Sequence, residues 1–166
     1  MIPHPDSQKL VLDCAVITVS DTRTKETDRS GQIIQQLLQE AGHYISTYTI
    51  VKDEPAAIED LLSYLEQQFK LNVIIFSGGT GIAPRDTTYD VVASWLTKTI
   101  PGFGEIFRYL SYQEIGSRAI ASRAVAGVRN QKLIFSLPGS SNAVTLALTK
   151  LILPELNHLA KQVQGK

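Results

Sequence analysis

Two aspartates and a run of glycines carry the chemistry this sequence can do. Residues 72–86 read NVIIFSGGTGIAPRD, so an apolar run empties through Ser77 into Gly78, Gly79 and Gly81, with Thr80 between them and Arg85 and Asp86 just beyond. Glycine lets a backbone turn sharply and approach a ligand with no Cβ in the way. The N–H groups left free at a following helix start attract anions. The segment reads as a phosphate-binding loop. It is not a Walker loop, because Ile82 rather than Lys-Ser or Lys-Thr follows Gly81, and it is not a dinucleotide fingerprint, because Pro84 stands where the third glycine belongs. A structural turn closed by an aspartate cap is the alternative.

Asp53 and Asp86 each stand where a strand gives way to a helix. Capping explains either one alone. As a pair on neighbouring strand exits they suit Mg²⁺, a hard cation that takes oxygen ligands and commonly uses one or two carboxylates plus phosphate oxygens. Both readings stay open on the residues alone. Arg85 adjoins the glycines and Asp86 and is the cation expected to face an anion. Arg23, Lys25, Arg29, Arg108, Arg118 and Arg123 are expected as solvated surface residues. Glu105 reads equally well as a solvated helix-start residue or a ligand contact.

The elements that must position these groups alternate. Residues 12–19 form an apolar strand ending in Ser20-Asp21, and Ser30 is placed to cap a helix through Ile33, Ile34, Leu37, Leu38 and Ala41, stopped by Gly42. Residues 44–51 read as a second strand, and Asp53 begins a helix bearing Ile58, Leu61, Leu62, Leu65 and Phe69. Val73 to Phe76 read as a strand buried on both faces. Asp86 and Thr87 then open a helix with Val91, Val92, Trp95 and Leu96 on one face. The rhythm predicts a three-layer α/β/α fold around a mostly parallel sheet, with right-handed crossovers. Residues 101–118 are glycine-punctuated and then helical. Residues 124–128 and 133–137 flank Asn130-Gln131 as a hairpin. A last helix through Val144, Leu148, Leu151 and Ile152 is interrupted or restarted by Pro154. Ligands of open parallel sheets bind beyond the carboxyl ends of the strands. The exits here are Ser20-Asp21, Asp53, Ser77 to Gly81, and Pro138-Gly139-Ser140, which together predict one polar cleft.

Composition narrows the partners. The 166 residues suit a loose N-terminal arm over residues 1–10 and a single domain over residues 11–166. Sixteen basic residues balance sixteen acidic ones, which gives no global field for nucleic acid or an anionic membrane surface. No apolar run approaches a membrane span and residues 1–9 show no signal-peptide core, so a cytoplasmic protein is expected. The single cysteine, Cys14, sits in an apolar run and is expected to be inert. His4, His43 and His158 stand far apart and are expected as surface or cap residues.

Seven segments in order then resemble one family: TVSDTR at 18–23, DRSG at 28–31, IVKDEP at 50–55, SGGTGIAPRDTT at 77–88, PGFGEIFR at 101–108, SRAVAGV at 122–128 and LPGS at 137–140. The chain is similar to the molybdenum cofactor biosynthesis protein B family, within the larger group that includes MogA and the gephyrin G domain. The resemblance implies a molybdopterin-binding fold and adenylylation of molybdopterin with Mg-ATP, giving adenylyl-molybdopterin and pyrophosphate. It implies that Asp53 and Asp86 are the functional aspartates; on physical grounds they are then assigned to Mg²⁺ binding and phosphate positioning. It implies that Gly78, Gly79, Thr80 and Gly81 line the nucleotide site, with Ser20, Asp21, Pro138, Gly139 and Ser140 in or beside the cleft; Ser77, Arg85 and Glu105 are added to the expected binding residues. It also implies a homo-oligomer, trimer or hexamer, with other molybdenum cofactor enzymes as possible partners. Ser141 stands where many relatives have proline, which implies a less rigid loop. A non-catalytic molybdopterin carrier or a scaffold in the same pathway is the alternative.

Overall fold

The computed structural model describes residues 9–165. The expected arm therefore lies outside the described residues apart from its last two, and so does His4. Leu10 already belongs to the fold: it packs on the core, and its N–H donates to Asn157 Oδ1 at 3.3 Å.

The elements run β1 (Asp13–Val19), α1 (Arg29–Glu40), β2 (Tyr44–Val51), α2 (Pro55–Glu66), β3 (Val73–Ser77), α3 (Thr88–Trp95), β4 (Lys98–Thr99), α4 (Pro101–Ile115), β5 (Val125–Arg129), β6 (Lys132–Leu137), α5 (Ser141–Ala147) and α6 (Leu153–Val163). A 3₁₀ turn over Gly116–Ala121 follows α4, and a wide π-type turn over Leu148–Ile152 joins α5 to α6. That wide turn directly precedes Pro154, which has no N–H to return to the carbonyl of residue 150. The six strands lie in the order β2-β1-β3-β6-β5-β4. The first four are mutually parallel; at one side β5 pairs antiparallel with β6, and β4 pairs antiparallel with β5.

Period-two alternation sorts each central strand between two faces. On β1 and β3, Cys14, Val16, Val73 and Ile75 join the cluster packed by α1, α4, α5 and α6; Ala15, Ile17, Ile74 and Phe76 join the cluster packed by α2 and α3. Phe76 is fully buried, which stabilises the fold by about 2–3 kcal/mol through removal of apolar surface from water. Helices thus cover both faces of a mostly parallel sheet, as the alternating pattern predicted.

Several local expectations are corrected. Asp28, not Ser30, caps α1, because its carboxylate reaches the Gly31 N–H at 3.0 Å. Phe69 lies beyond α2 and is almost wholly exposed. The whole of Pro101–Ile115 is helical despite its glycines. The exposed two-residue β4 has no apolar signature and was not foreseen. The hairpin at Asn130-Gln131 is present, with φ of 45° and 60° at those two residues, the mirror-turn geometry that suits a two-residue connection. His43 is buried rather than at the surface; the tertiary partner that draws it in is the Leu12 N–H, which donates to its Nδ1 at 3.3 Å. Cys14 is buried as expected, and burial pushes its thiol up to about 12, with Asp13 adding to the rise, so it carries no thiolate at neutral pH.

Candidate functional site

The four parallel strands end side by side, so Ser20-Asp21, Asp53, Ser77 to Gly81 and Pro138 to Ser140 meet along one edge of the sheet. β3 is central and empties into the glycines. Gly78 has φ +102° and Gly79 φ +62°, values that L side chains rarely adopt. A Cβ at Gly78 would also strike the Val19 carbonyl, and one at Gly139 would lie 3.0 Å from Gly78 Cα. The glycine loop is therefore clamped between the β1 exit and the turn after β6. The Gly78 N–H donates to the Leu137 carbonyl at 3.0 Å, which fixes its path.

Both aspartates close on this loop. A side chain at Gly79 would collide with Asp53 Oδ2, and one at Gly81 with Asp86 Oδ2. Neither aspartate caps the helix that follows it in sequence. Asp53 Oδ1 accepts from the Thr87 N–H at 3.1 Å, the Thr87 hydroxyl at 2.7 Å and the Thr88 hydroxyl at 3.2 Å, so it serves the start of α3 from across the cleft. Asp86 closes its own turn, accepting from the Ala83 N–H at 3.0 Å through Oδ2, while its N–H donates to the Ala83 carbonyl. α3 begins only at Thr88.

The remaining expected residues divide. Asp21 pairs with Arg85 through two guanidinium nitrogens, a contact that bridges the β1 exit and the 82–86 turn at the surface. Ser20 Oγ accepts from the Thr22 and Arg23 N–H groups and shapes its own turn. Ser77 and Thr80 have buried side chains, so only their backbone is open to the cleft; Ser77 Oγ has no hydrogen-bond partner among the described residues. Ser140 caps α5 by accepting from the Ala143 N–H at 3.2 Å. Glu105 is exposed on α4, beside a hollow of about 250 Å³ that Tyr89 and Arg108 also line. Among the described residues no hydrogen bond or ion pair joins it to the glycine loop.

Three further positions brace the cleft in ways the sequence did not show: Asp28 was not singled out, Ser30 was read as a cap, and Arg123 as a solvated cation. Asp28 is 2% exposed and accepts from Gly31 N–H, the Thr18 hydroxyl at 2.5 Å and the Tyr48 hydroxyl at 2.7 Å, which ties α1, β1 and β2 together below the cleft. Contact with this carboxylate and burial raise the Tyr48 pKa, burial being the larger cause. Ser30, freed from capping, donates to the Gly139 carbonyl at 2.7 Å. Arg123 is not a solvated cation: it donates to the Gly81 carbonyl at 3.0 Å, pairs with Asp90, and lies 4.2 Å from the centre of the Tyr89 ring. The Asp28-x-Ser-Gly spacing carried a capping signal for Asp28; no local signal marks Arg123, whose partners are distant in sequence.

Among the described residues no group of three or more His, Cys, Asp or Glu side chains gathers into a metal cage. A pair of carboxylates beside a glycine loop nonetheless fits Mg²⁺, which keeps several waters and takes one or two carboxylates plus substrate phosphate oxygens. The Oδ2 atoms facing the space where Gly79 and Gly81 have no Cβ supply that donor pair. No described helix is long and apolar enough to cross a membrane.

Comparison with known proteins agrees with the fold. Residues 15–158 match the family model described as "Probable molybdopterin binding domain". A molybdenum cofactor biosynthesis protein B from Halalkalibacterium halodurans is 52% identical over 161 residues, covering 96% of this chain and 95% of that protein. The crystal structure of a molybdenum cofactor biosynthesis protein B superposes with a TM-score of 0.92 at 47% identity, covering 95% of this chain and 98% of the other. The tungsten cofactor synthesizing protein MoaB from Pyrococcus furiosus superposes with a TM-score of 0.82 at 35% identity, covering 95% and 99%.

Proposed function

Because the chain belongs to the molybdopterin-binding domain family, and within it to the molybdenum cofactor biosynthesis protein B group, we propose that it transfers the adenylyl group of Mg-ATP to molybdopterin. Its place is in molybdenum cofactor biosynthesis. One observation carries the finer reading: two carboxylates from different strand exits, Asp53 and Asp86, each turn their Oδ2 onto the same glycine loop.

In the proposed reaction an oxygen of the molybdopterin phosphate attacks the α-phosphorus of ATP. The bond from that phosphorus to the bridging oxygen breaks, and its electron pair leaves with pyrophosphate. A phosphate monoester has its second pKa near about 6, so the nucleophile is already ionised at neutral pH and needs no general base. The difficulty is to bring two polyanions together, and catalysis is positioning and electrostatics. N–H groups at Gly79, Thr80 and Gly81 hold the nucleotide phosphates, and Arg85 faces the departing charge. Residues Pro138 to Ser140, with Ser20 and Asp21, border the pterin phosphate, and Glu105 stands at the outer rim. Asp53 and Asp86 are the residues that would hold Mg²⁺, which supplies neutralisation of phosphate charge. The assembly is proposed to be a homo-oligomer, trimer or hexamer, acting in the cytoplasm. Ile106, Tyr109 and Tyr112 leave an apolar stripe exposed on α4 that suits burial between copies.

The test is incubation of the protein with molybdopterin and Mg-ATP, reading pterin-dependent pyrophosphate and adenylyl-molybdopterin, then repetition with Asp53→Ala and Asp86→Ala. Turnover is expected only from the unmodified protein. Tight pterin binding with no pyrophosphate from the unmodified protein would overturn the enzyme in favour of a carrier.

A further inference from the structure

The two oxygens of Asp53 face different tasks. Oδ1 is saturated by three donors from two consecutive residues, the N–H and hydroxyl of Thr87 and the hydroxyl of Thr88. Oδ2 faces the glycine loop, at the point where a Cβ on Gly79 would also strike Thr88 Oγ1. The Thr88 N–H donates to the Gly79 carbonyl at 3.0 Å, so the residue that grips Asp53 also grips the loop. Thr88 is fully buried, and neither threonine is spent on capping α3 through its own side chain. The result is a closed triangle of Asp53, Thr88 and Gly79 spanning the β2 exit, the start of α3 and the β3 exit.

We infer that Thr87 and Thr88 are positioning residues for the site. By fixing Oδ1 they lock the rotation of the carboxylate and present Oδ2 to the cation and phosphates over the loop. Hydrogen bonds to a charged acceptor are roughly twice as strong as neutral ones, and three on one oxygen leave the carboxylate one orientation. Its neighbour Asp86 is held differently, through the N–H of Ala83 in its own turn, so the two carboxylates are set by independent devices. The inference rests on the reading of the cleft as a Mg-nucleotide site. It goes beyond that reading by assigning orientation to side chains that touch no substrate.

The test is binding of Mn²⁺ in the presence of α,β-methylene-ATP, followed by the loss of the free Mn²⁺ signal in electron paramagnetic resonance, with a thermal melt for every variant. Asp53→Asn keeps an oxygen for the threonine donors and loses the free carboxylate oxygen. It should melt near the unmodified protein yet bind Mn²⁺ at least tenfold more weakly. The Thr87→Val/Thr88→Val pair keeps the carboxylate and loses its hydroxyl donors. It should weaken Mn²⁺ binding about tenfold and lower adenylyl transfer by about 10- to 100-fold, the scale of a misplacement near 1 Å. Thr87→Ser/Thr88→Ser should restore both. If the double variant fails to fold, Thr87→Val alone, at a half-buried residue that keeps its N–H bond, should shift Mn²⁺ affinity in the same direction. Unchanged Mn²⁺ affinity in folded valine variants, with Asp53→Asn impaired, would overturn the positioning role and leave the proposed function standing. Equal Mn²⁺ binding by the unmodified protein and Asp53→Asn would instead overturn the metal reading itself.

Discussion

The Ser30 hydroxyl donates to the Gly139 carbonyl at 2.7 Å, a bond that joins residues 109 apart in the chain. Through it the first turn of α1 holds one wall of the cleft from beneath. Ser30→Ala should cost about 1 kcal/mol, the net worth of one hydrogen bond at a buried site. Urea unfolding reads that cost, and weaker pterin binding by the folded variant should accompany it.

Ser141 is the first residue of α5, where proline's fixed φ is pre-organised and its missing N–H is no loss. Ser140 before it is extended, with φ −78° and ψ 147°, the conformation a residue preceding proline prefers. Ser141→Pro should therefore stabilise the protein by about 0.4–1 kcal/mol, chiefly by restricting the unfolded chain. A rise in Tm with unchanged pyrophosphate release is the expected outcome.

Gly79→Ala sets a side chain at φ +62° onto Asp53 and Thr88. It should lower activity by about 100-fold or more and destabilise by about 1–3 kcal/mol. Gly102, in the first turn of α4, has no atom within 4 Å of its would-be Cβ. Gly102→Ala should be neutral or stabilise by up to about 1 kcal/mol. Paired melts and activity assays separate the two.

The two arginines at the loop should behave oppositely. The Arg85 side chain is 67% exposed and its pair with Asp21 is open to solvent, so Arg85→Ala should change stability by about 0.5 kcal/mol or less, and less still at high salt. Arg123 holds a loop carbonyl, Asp90 and the face of Tyr89 together. Arg123→Lys keeps the charge but not the planar fork, and should cost about 1–2 kcal/mol and raise the KM for ATP.

Burial, helped by the nearby positive Lys9, pushes the His43 pKa below 6.5. Its Nδ1 accepts the Leu12 N–H, so the fold needs the neutral ring. The unfolded chain takes the proton more readily. The stability from His43 is therefore complete above about pH 6.5 and is lost as pH falls through the lower folded pKa. Denaturant midpoints measured between pH 8 and 5 should fall at the acid end, and His43→Asn, which keeps an acceptor near Nδ1, should flatten that part of the slope.

What could be read ahead of the structure was whatever one stretch of chain decides. The apolar runs before Ser20, Asp53 and Ser77 and the run ending at Leu137 marked the strands, and the small polar residues at their exits marked the cleft. Hidden were the choices made between distant stretches. Asp53 looked like the cap of its own helix because sequence shows only near neighbours; its donors come from Thr87 and Thr88. Ser30 looked like a cap for the same reason, while Asp28 took the cap and Ser30 took Gly139. His43 looked like a surface or cap residue and Arg123 looked solvated because the Leu12 N–H and the Gly81 carbonyl that hold them carry no side-chain signature. β4 was invisible because its two exposed residues have no apolar pattern to betray them.

The strand order has a last consequence, for the moment of synthesis. β6 lies in the middle of the sheet, between β3 and β5, yet it is the final strand to be made. Until residue 137 has emerged, β3 presents an unpaired apolar edge and the wall carrying Gly139 does not exist. A nascent chain is therefore without a binding cleft and prone to stick to its neighbours. Insertion of β6 completes the sheet and the cleft in one event, so a chain arrested before it should have neither.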